Sequence, residues 1–119
     1  MLASIDPGGA PWASPLLGPA GFVQAPDLGR LRLDLRVAAS YPEDPLWRNL
    51  ESDPRLGVLL IELATRRRLR VNGRASIIPE RVLEVAVDEA YPNCPQYIQR
   101  RHPTPASKLA DFVPAPARR

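Results

Sequence analysis

The residues with the most chemistry to offer in this chain are arginines. Arg66, Arg67, Arg68, Arg70 and Arg74 gather in one short segment, and guanidinium groups bind phosphate through paired, charge-assisted hydrogen bonds. Arg68, Arg70, Asn72 and Arg74 alternate with Leu69, Val71, Gly73, Ala75 and, further on, Ile77. That is the period of a strand, so the polar set projects together from the face opposite the core. A phosphate-bearing ligand suits such a face. For Arg70 and Arg74 a solvated face paired with Glu62 or Glu84 suits the same pattern equally well.

A second polar group follows at Asn93-Cys94-Pro95-Gln96-Tyr97. Pro95 can open a short helix through Gln99 and Arg100 that His102-Pro103 ends, and the free N–H groups of a helix start can hold an anion or a carbonyl. Tyr97 can stack on or hydrogen-bond to a ring, or simply pack at a subunit contact. Cys94 is either a thiol acidified by the helix start or, more in keeping with the residue type, a small buried side chain.

What the chain lacks narrows the chemistry further. It has one cysteine and one histidine, His102, which excludes an internal disulfide and leaves no basis for a cysteine-rich metal site or most zinc and Ser-His-Asp arrangements. No residue stands out as a general acid or base, and no metal site is expected. No apolar run is long enough to cross a membrane, and no basic region with an apolar signal core follows Met1; a soluble cytoplasmic protein is the expectation. The net charge of +3 arises from an arginine-rich set of 16 basic residues against 13 acidic ones. A bias to arginine can follow from base composition alone, so a nucleic-acid binder is the weakest reading of the arginine face.

The elements that must position these residues are mostly strands. At 119 residues the chain forms one domain, too small for separate cofactor and substrate domains, and its 15 prolines break up helices. Leu2 to Asp6, the turn residues Pro7-Gly8-Gly9, and Trp12 to Leu17 read as a hairpin whose second strand carries Pro15 and so belongs at an edge or a bulge. Gly18-Pro19-Ala20-Gly21 bends the chain. Leu31, Leu33, Leu35 and Val37 alternate with Arg32, Asp34 and Arg36, a half-buried strand. Asp44 caps a helix of about two turns with Pro45 at its first position, ending at Asp53-Pro54. Leu56 to Ile61 is a continuous apolar run of a central strand. Ala64-Thr65 connects it by a short turn to the arginine strand, Arg68 to Ile77, as an antiparallel hairpin. Leu83, Val85 and Val87 mark the last long strand. Residues 1–102 form the domain, and 103–119 are a loosely ordered Pro/Ala-rich tail.

Four segments, in order, resemble the flavin-binding split barrels of the pyridoxamine 5'-phosphate oxidase-like superfamily. They are Pro11-Trp12-Ala13-Ser14 with Gly18 to Val23, Asn49-Leu50 through Asp53-Pro54-Arg55-Leu56-Gly57, Arg67 to Ala75, and Tyr91 to Ile98. The resemblance implies an all-β fold with minor α, a six-stranded antiparallel split β-barrel with two short helices, working as a homodimer with flavin mononucleotide (FMN) in a groove between subunits. It implies cofactor contacts from Arg67, Arg68, Arg70, Ser14, Asn49, Asn93 and Tyr97, with Arg68 foremost. The sequence does not choose between FMN and a deazaflavin.

Two departures accompany the resemblance. The family's basic residues for the FMN phosphate fall where this chain has Ser14-Pro15 and Asp44-Pro45-Leu46, which moves the expected phosphate contact to Arg66 through Arg70. A helix and strand that the family places before its first strand are missing ahead of Leu2, as in a shortened or degenerate member with a less complete cofactor site. The resulting expectation is a flavin-dependent oxidoreductase of unknown substrate, in which the cofactor carries the chemistry. The alternative is a cofactor-free split-barrel dimer that serves as an interaction module.

Overall fold

The computed structural model describes residues 1–62, 64–92 and 99–102. Among the described residues seven strands and one helix follow in the order β1 (Leu2–Ile5), β2 (Pro11–Ser14), β3 (Val23–Asp27), β4 (Arg30–Asp34), α1 (Pro45–Ser52), β5 (Arg55–Glu62), β6 (Arg67–Ile78) and β7 (Val82–Pro92). All strands join one antiparallel sheet in the order β2-β1-β5-β6-β7-β4-β3. The expected mostly-β antiparallel class holds, with one more strand than expected. The second expected helix, beginning at Pro95, lies outside the described residues.

Local chemistry explains most of the elements. In the first hairpin the Asp6 carboxylate accepts from the backbone N–H of Ala10 at 2.8 Å and from the Trp12 indole at 3.0 Å, which pins the turn. β2 stops at Ser14, just before Pro15, and lies at the sheet edge, where the missing proline N–H leaves no ladder bond unmade. Asp44 caps α1 by accepting from the Leu46 N–H at 2.9 Å, with Pro45 in the first turn.

β4 ends at Asp34, short of the expected Val37. Leu35 still donates to the Arg81 carbonyl at 2.9 Å, but the Asp34 carboxylate accepts the Arg36 backbone N–H at 2.9 Å, and this local turn takes Arg36 and Val37 away from the strand. The additional strand, β3, is a sheet edge on which only Val23 is even half-buried, so it carries almost no hydrophobic pattern. A bulge interrupts the β6–β7 ladder: Asn72 faces Glu89 while Gly73 faces Val87, leaving Asp88 as the extra residue.

The core lies on one face of the sheet. Leu2, Leu31, Leu33, Leu56, Val58, Val71, Leu83 and Val85 point inward and meet Leu46 of the helix and Leu16 of the segment after β2. Each such burial contributes about 1.5–3 kcal/mol relative to exposure. Leu69 and Ile77 share the inward face of β6 but lie beyond both ends of this core, 39% and 59% exposed. Among the described residues no helix is long and apolar enough to cross a membrane.

Candidate functional site

β6 is a central strand, flanked by β5 and β7 along its length, and it carries the arginines in two directions. Arg68, Arg70, Asn72 and Arg74 project from the outer face. Arg67 projects from the inner face with Leu69 and Val71, opposite Glu62 of β5. The expected set Arg67, Arg68 and Arg70 is therefore divided between faces. It meets only at the β5–β6 turn, where Arg66 adopts a left-handed backbone with φ of 56°.

At that turn lies a cleft of about 620 Å³ lined by Leu60, Ile61, Glu62, Arg66, Arg67, Arg68, Leu69 and Pro92. Its volume falls in the range of small-molecule sites. Leu60 and Leu69 pair across the strands, Leu69 pairs with Pro92 on the other side, and these three form an apolar floor. The three consecutive arginines form a cationic rim, with Glu62 as the acidic member. An apolar floor for a ring beside a basic rim for phosphate is what a flavin nucleotide requires. The floor escaped the sequence reading because the bulge at Asp88 shifts the alternation of β7, so that Ala90 and Pro92 follow Val87 on the inner face.

The outer face partly neutralises itself. Arg32 of β4 pairs with Glu84 of β7 at 2.8 Å, and Asn72 donates to Glu89 at 2.8 Å. Glu84 thus serves Arg32 rather than Arg70 or Arg74, and Glu62 accepts from the Thr65 hydroxyl. Tyr91 stands opposite Arg70, and Leu59 flanks it on the other side.

Ser14 and Asn49 lie elsewhere, in the interior, each 2% exposed. The Ser14 hydroxyl donates to Asp44 Oδ1 at 2.6 Å, and Asn49 Nδ2 donates to the Ser4 hydroxyl at 3.0 Å. Both join α1 to the first hairpin. Asn93 and Tyr97 lie outside the described residues. A second cleft of about 510 Å³ opens at the opposite end of β6, between Leu16, Leu35, Trp47, Ile77 and Arg81. Among the described residues no cluster of histidine, cysteine and acidic side chains could hold a metal ion.

Comparison with known proteins places this fold. Two crystal structures of tagged HupZ from Group A Streptococcus resemble it. The first, at 1.70 Å resolution, is 15% identical with a TM-score of 0.57, covering 86% of this chain and 88% of that one. The second, a histidine-to-alanine variant, is 16% identical with a TM-score of 0.56, covering 78% and 87%. At such identity the likeness concerns the fold alone, a split barrel. No curated protein sequence matches the chain. The family model described as pyridoxamine 5'-phosphate oxidase matches residues 1–109, and the chain belongs to that family.

Proposed function

We infer that this protein is a cytoplasmic, homodimeric FMN-binding protein and acts as a flavin-dependent oxidoreductase. The observation that carries the reading is the cleft at the β5–β6 turn, where an apolar floor of Leu60, Leu69 and Pro92 meets a rim of Arg66, Arg67 and Arg68. Flavin binding is common in the family, and homodimerisation is typical of it. Arg67 and Arg68 would neutralise the phosphate from the two sides of β6, with Arg70 next along the outer face. Ser14 and Asn49 would act indirectly, by fixing α1 against the first hairpin, and Asn93 and Tyr97 would supply further polar contacts. When bound, the flavin supplies hydride or electron transfer. A deazaflavin nucleotide presents the same ring and phosphate requirements.

One observation favours a second reading, a cofactor-free dimer acting as an interaction module. The Ser14 hydroxyl and the Asn49 amide nitrogen are engaged inside the fold, with Asp44 and Ser4. The visible spectrum of the purified protein, with and without added FMN, separates the two. Yellow protein, or saturable binding of added FMN with a perturbed flavin spectrum, is the expected result. Colourless protein that binds no FMN even in excess eliminates the flavin reading and leaves the second.

A further inference from the structure

The cleft at the far end of β6 differs in its chemistry from the one at the β5–β6 turn. Leu16, Leu35, Ala38 and Ile77 give it apolar walls, Trp47 adds an indole, and among the described residues Arg81 is the only charged one that lines it. Backbone hydrogen bonds fix these walls. Leu17 and Ala39 exchange two, at 3.0 and 2.6 Å, and the Leu35 N–H donates to the Arg81 carbonyl at 2.9 Å. A ligand therefore meets a cleft already formed, which lowers the ordering cost of binding.

Two donors at this cleft have no task inside the molecule. Arg30, Arg32, Arg36 and Arg55 each pair with a carboxylate within 2.8 Å. The Arg81 guanidinium has no such partner among the described residues, and the Glu80 carboxylate beside it in sequence acts on Arg36. The Trp12 indole N–H donates to Asp6 at 3.0 Å, whereas the Trp47 indole N–H has no partner among the described residues.

Arg81 is also held in a backbone conformation that a side chain disfavours. Pro79, Glu80 and Arg81 form the loop between the paired Ile78 and Val82, and Glu80 and Arg81 have φ of 72° and 58°. Glycine adopts this region freely, and an L side chain does so at a cost. The third described non-glycine residue with positive φ is Arg66, at the other cleft. A strained arginine thus stands at each end of β6, beside an opening. Strain kept where glycine would relieve it points to use of the side chain.

We propose that this cleft binds a small monocarboxylate with an apolar body, the carboxylate on the Arg81 guanidinium and the body against Leu16, Leu35, Ile77 and the Trp47 ring. The planar guanidinium matches a carboxylate through two parallel hydrogen bonds. One cation suits one negative charge, whereas a phosphate monoester brings nearly two at neutral pH. Ile77, 59% exposed, gains burial when the cleft is filled. The volume of about 510 Å³ falls in the range of small-molecule sites. The site is independent of the flavin reading.

Nuclear magnetic resonance of the full chain tests it with naphthoate for an aromatic body and octanoate for an aliphatic one, the indole N–H signals being assigned with Trp12→Phe. At least one acid should saturate at millimolar concentration or below, moving the Trp47 indole signal and leaving that of Trp12 in place. The one that binds more tightly identifies the body. Its neutral amide should bind about tenfold more weakly or worse. Arg81→Gly should cost the acid about tenfold and the amide little, with a urea midpoint no lower than wild type because the strained φ is relieved. Saturating FMN should leave the affinity for the acid unchanged. The proposal is overturned if neither acid saturates, if acid and amide bind equally, if Arg81→Gly binds the acid as wild type does, or if FMN displaces it, which would make the cleft part of the flavin site.

Discussion

Ser14 Oγ lies 2.6 Å from Asp44 Oδ1, and the same carboxylate oxygen accepts the Leu46 N–H at 2.9 Å. One oxygen therefore closes the helix start and ties it to a residue of β2 that is 2% exposed. Ser14→Ala removes one charge-assisted hydrogen bond and should cost about 1–2 kcal/mol. Asp44→Ala also removes the cap and strands a buried hydroxyl, so its cost should be about 2–4 kcal/mol. In urea denaturation the double variant should lose less than the sum of the two, because both changes break the same bond. Strict additivity would mean that the pair is not coupled.

A second buried pair makes a sharper distinction. Asn49 is expected near the cofactor by resemblance, and it donates to the buried hydroxyl of Ser4 at 3.0 Å. Asn49→Ala should destabilise the fold by about 1–3 kcal/mol. If the side chain acts by holding α1, FMN affinity measured well below the unfolding transition should change by less than about threefold. A loss of affinity with intact stability would instead place Asn49 against the cofactor.

These two pairs show where sequence reading reaches its limit. The cap of α1 was legible because Asp44 and Pro45 are adjacent to the helix they start. The alternation of β4 and β6 was legible because one face of each is buried. Ser14–Asp44 and Ser4–Asn49 join residues far apart in sequence, and no local pattern marks a polar side chain as buried. β3 was illegible for the opposite reason: an edge strand that is mostly exposed has no hydrophobic pattern to read. The bulge at Asp88 hid the apolar floor of the cleft, since one extra residue inverts the alternation beyond it. The arginine cluster was visible, and its division between two faces was implicit in the same period of two.

That division makes a prediction about the arginines. Arg67 is exposed on the inner face, whereas Arg68 is half-buried on the outer face. Desolvated charge pairs are worth more than exposed ones. Arg68→Ala should therefore weaken FMN binding about 10–100-fold, and Arg67→Ala less than about tenfold. Fluorescence titration of free FMN gives both values. An equal loss from the two variants would show that the burial of Arg68 does not set its share of phosphate binding.

Acid stability should report on two local pairs. The Arg55 guanidinium and then the Arg55 backbone N–H hold Asp53 down from 3.8 to about 2. Arg36 does the same for Asp34, also to about 2. Their folded values lie below the unfolded value, so the stabilisation is fully present above about pH 4 and is lost as pH falls towards 2. Both carboxylates are only half-buried and their arginine partners are exposed, so each contribution is modest. The urea midpoint should fall across that window, and Asp53→Asn together with Asp34→Asn should flatten the fall. An unchanged slope in the double variant would assign the acid sensitivity to other carboxylates.

Two glycines on paired strands should respond very differently to the same substitution. Gly73 and Gly57 lie within β6 and β5, and neither is among the residues with positive φ. At Gly73 a Cβ would lie 2.1 Å from the Ala86 carbonyl oxygen and 3.0 Å from Val85 Cγ1. The oxygen belongs to a backbone fixed in the β6–β7 ladder beside the bulge and cannot rotate away. Gly73→Ala must displace one strand from the other and should cost about 2–4 kcal/mol. At Gly57 the nearest contacts are ordinary, and the alanine restricts the unfolded chain more than glycine does. Gly57→Ala should therefore lie within about 1 kcal/mol of wild type. Chemical denaturation of the two variants side by side measures the contrast. Equal destabilisation would mean that the close approach of β7 to Gly73 is not what selects glycine there.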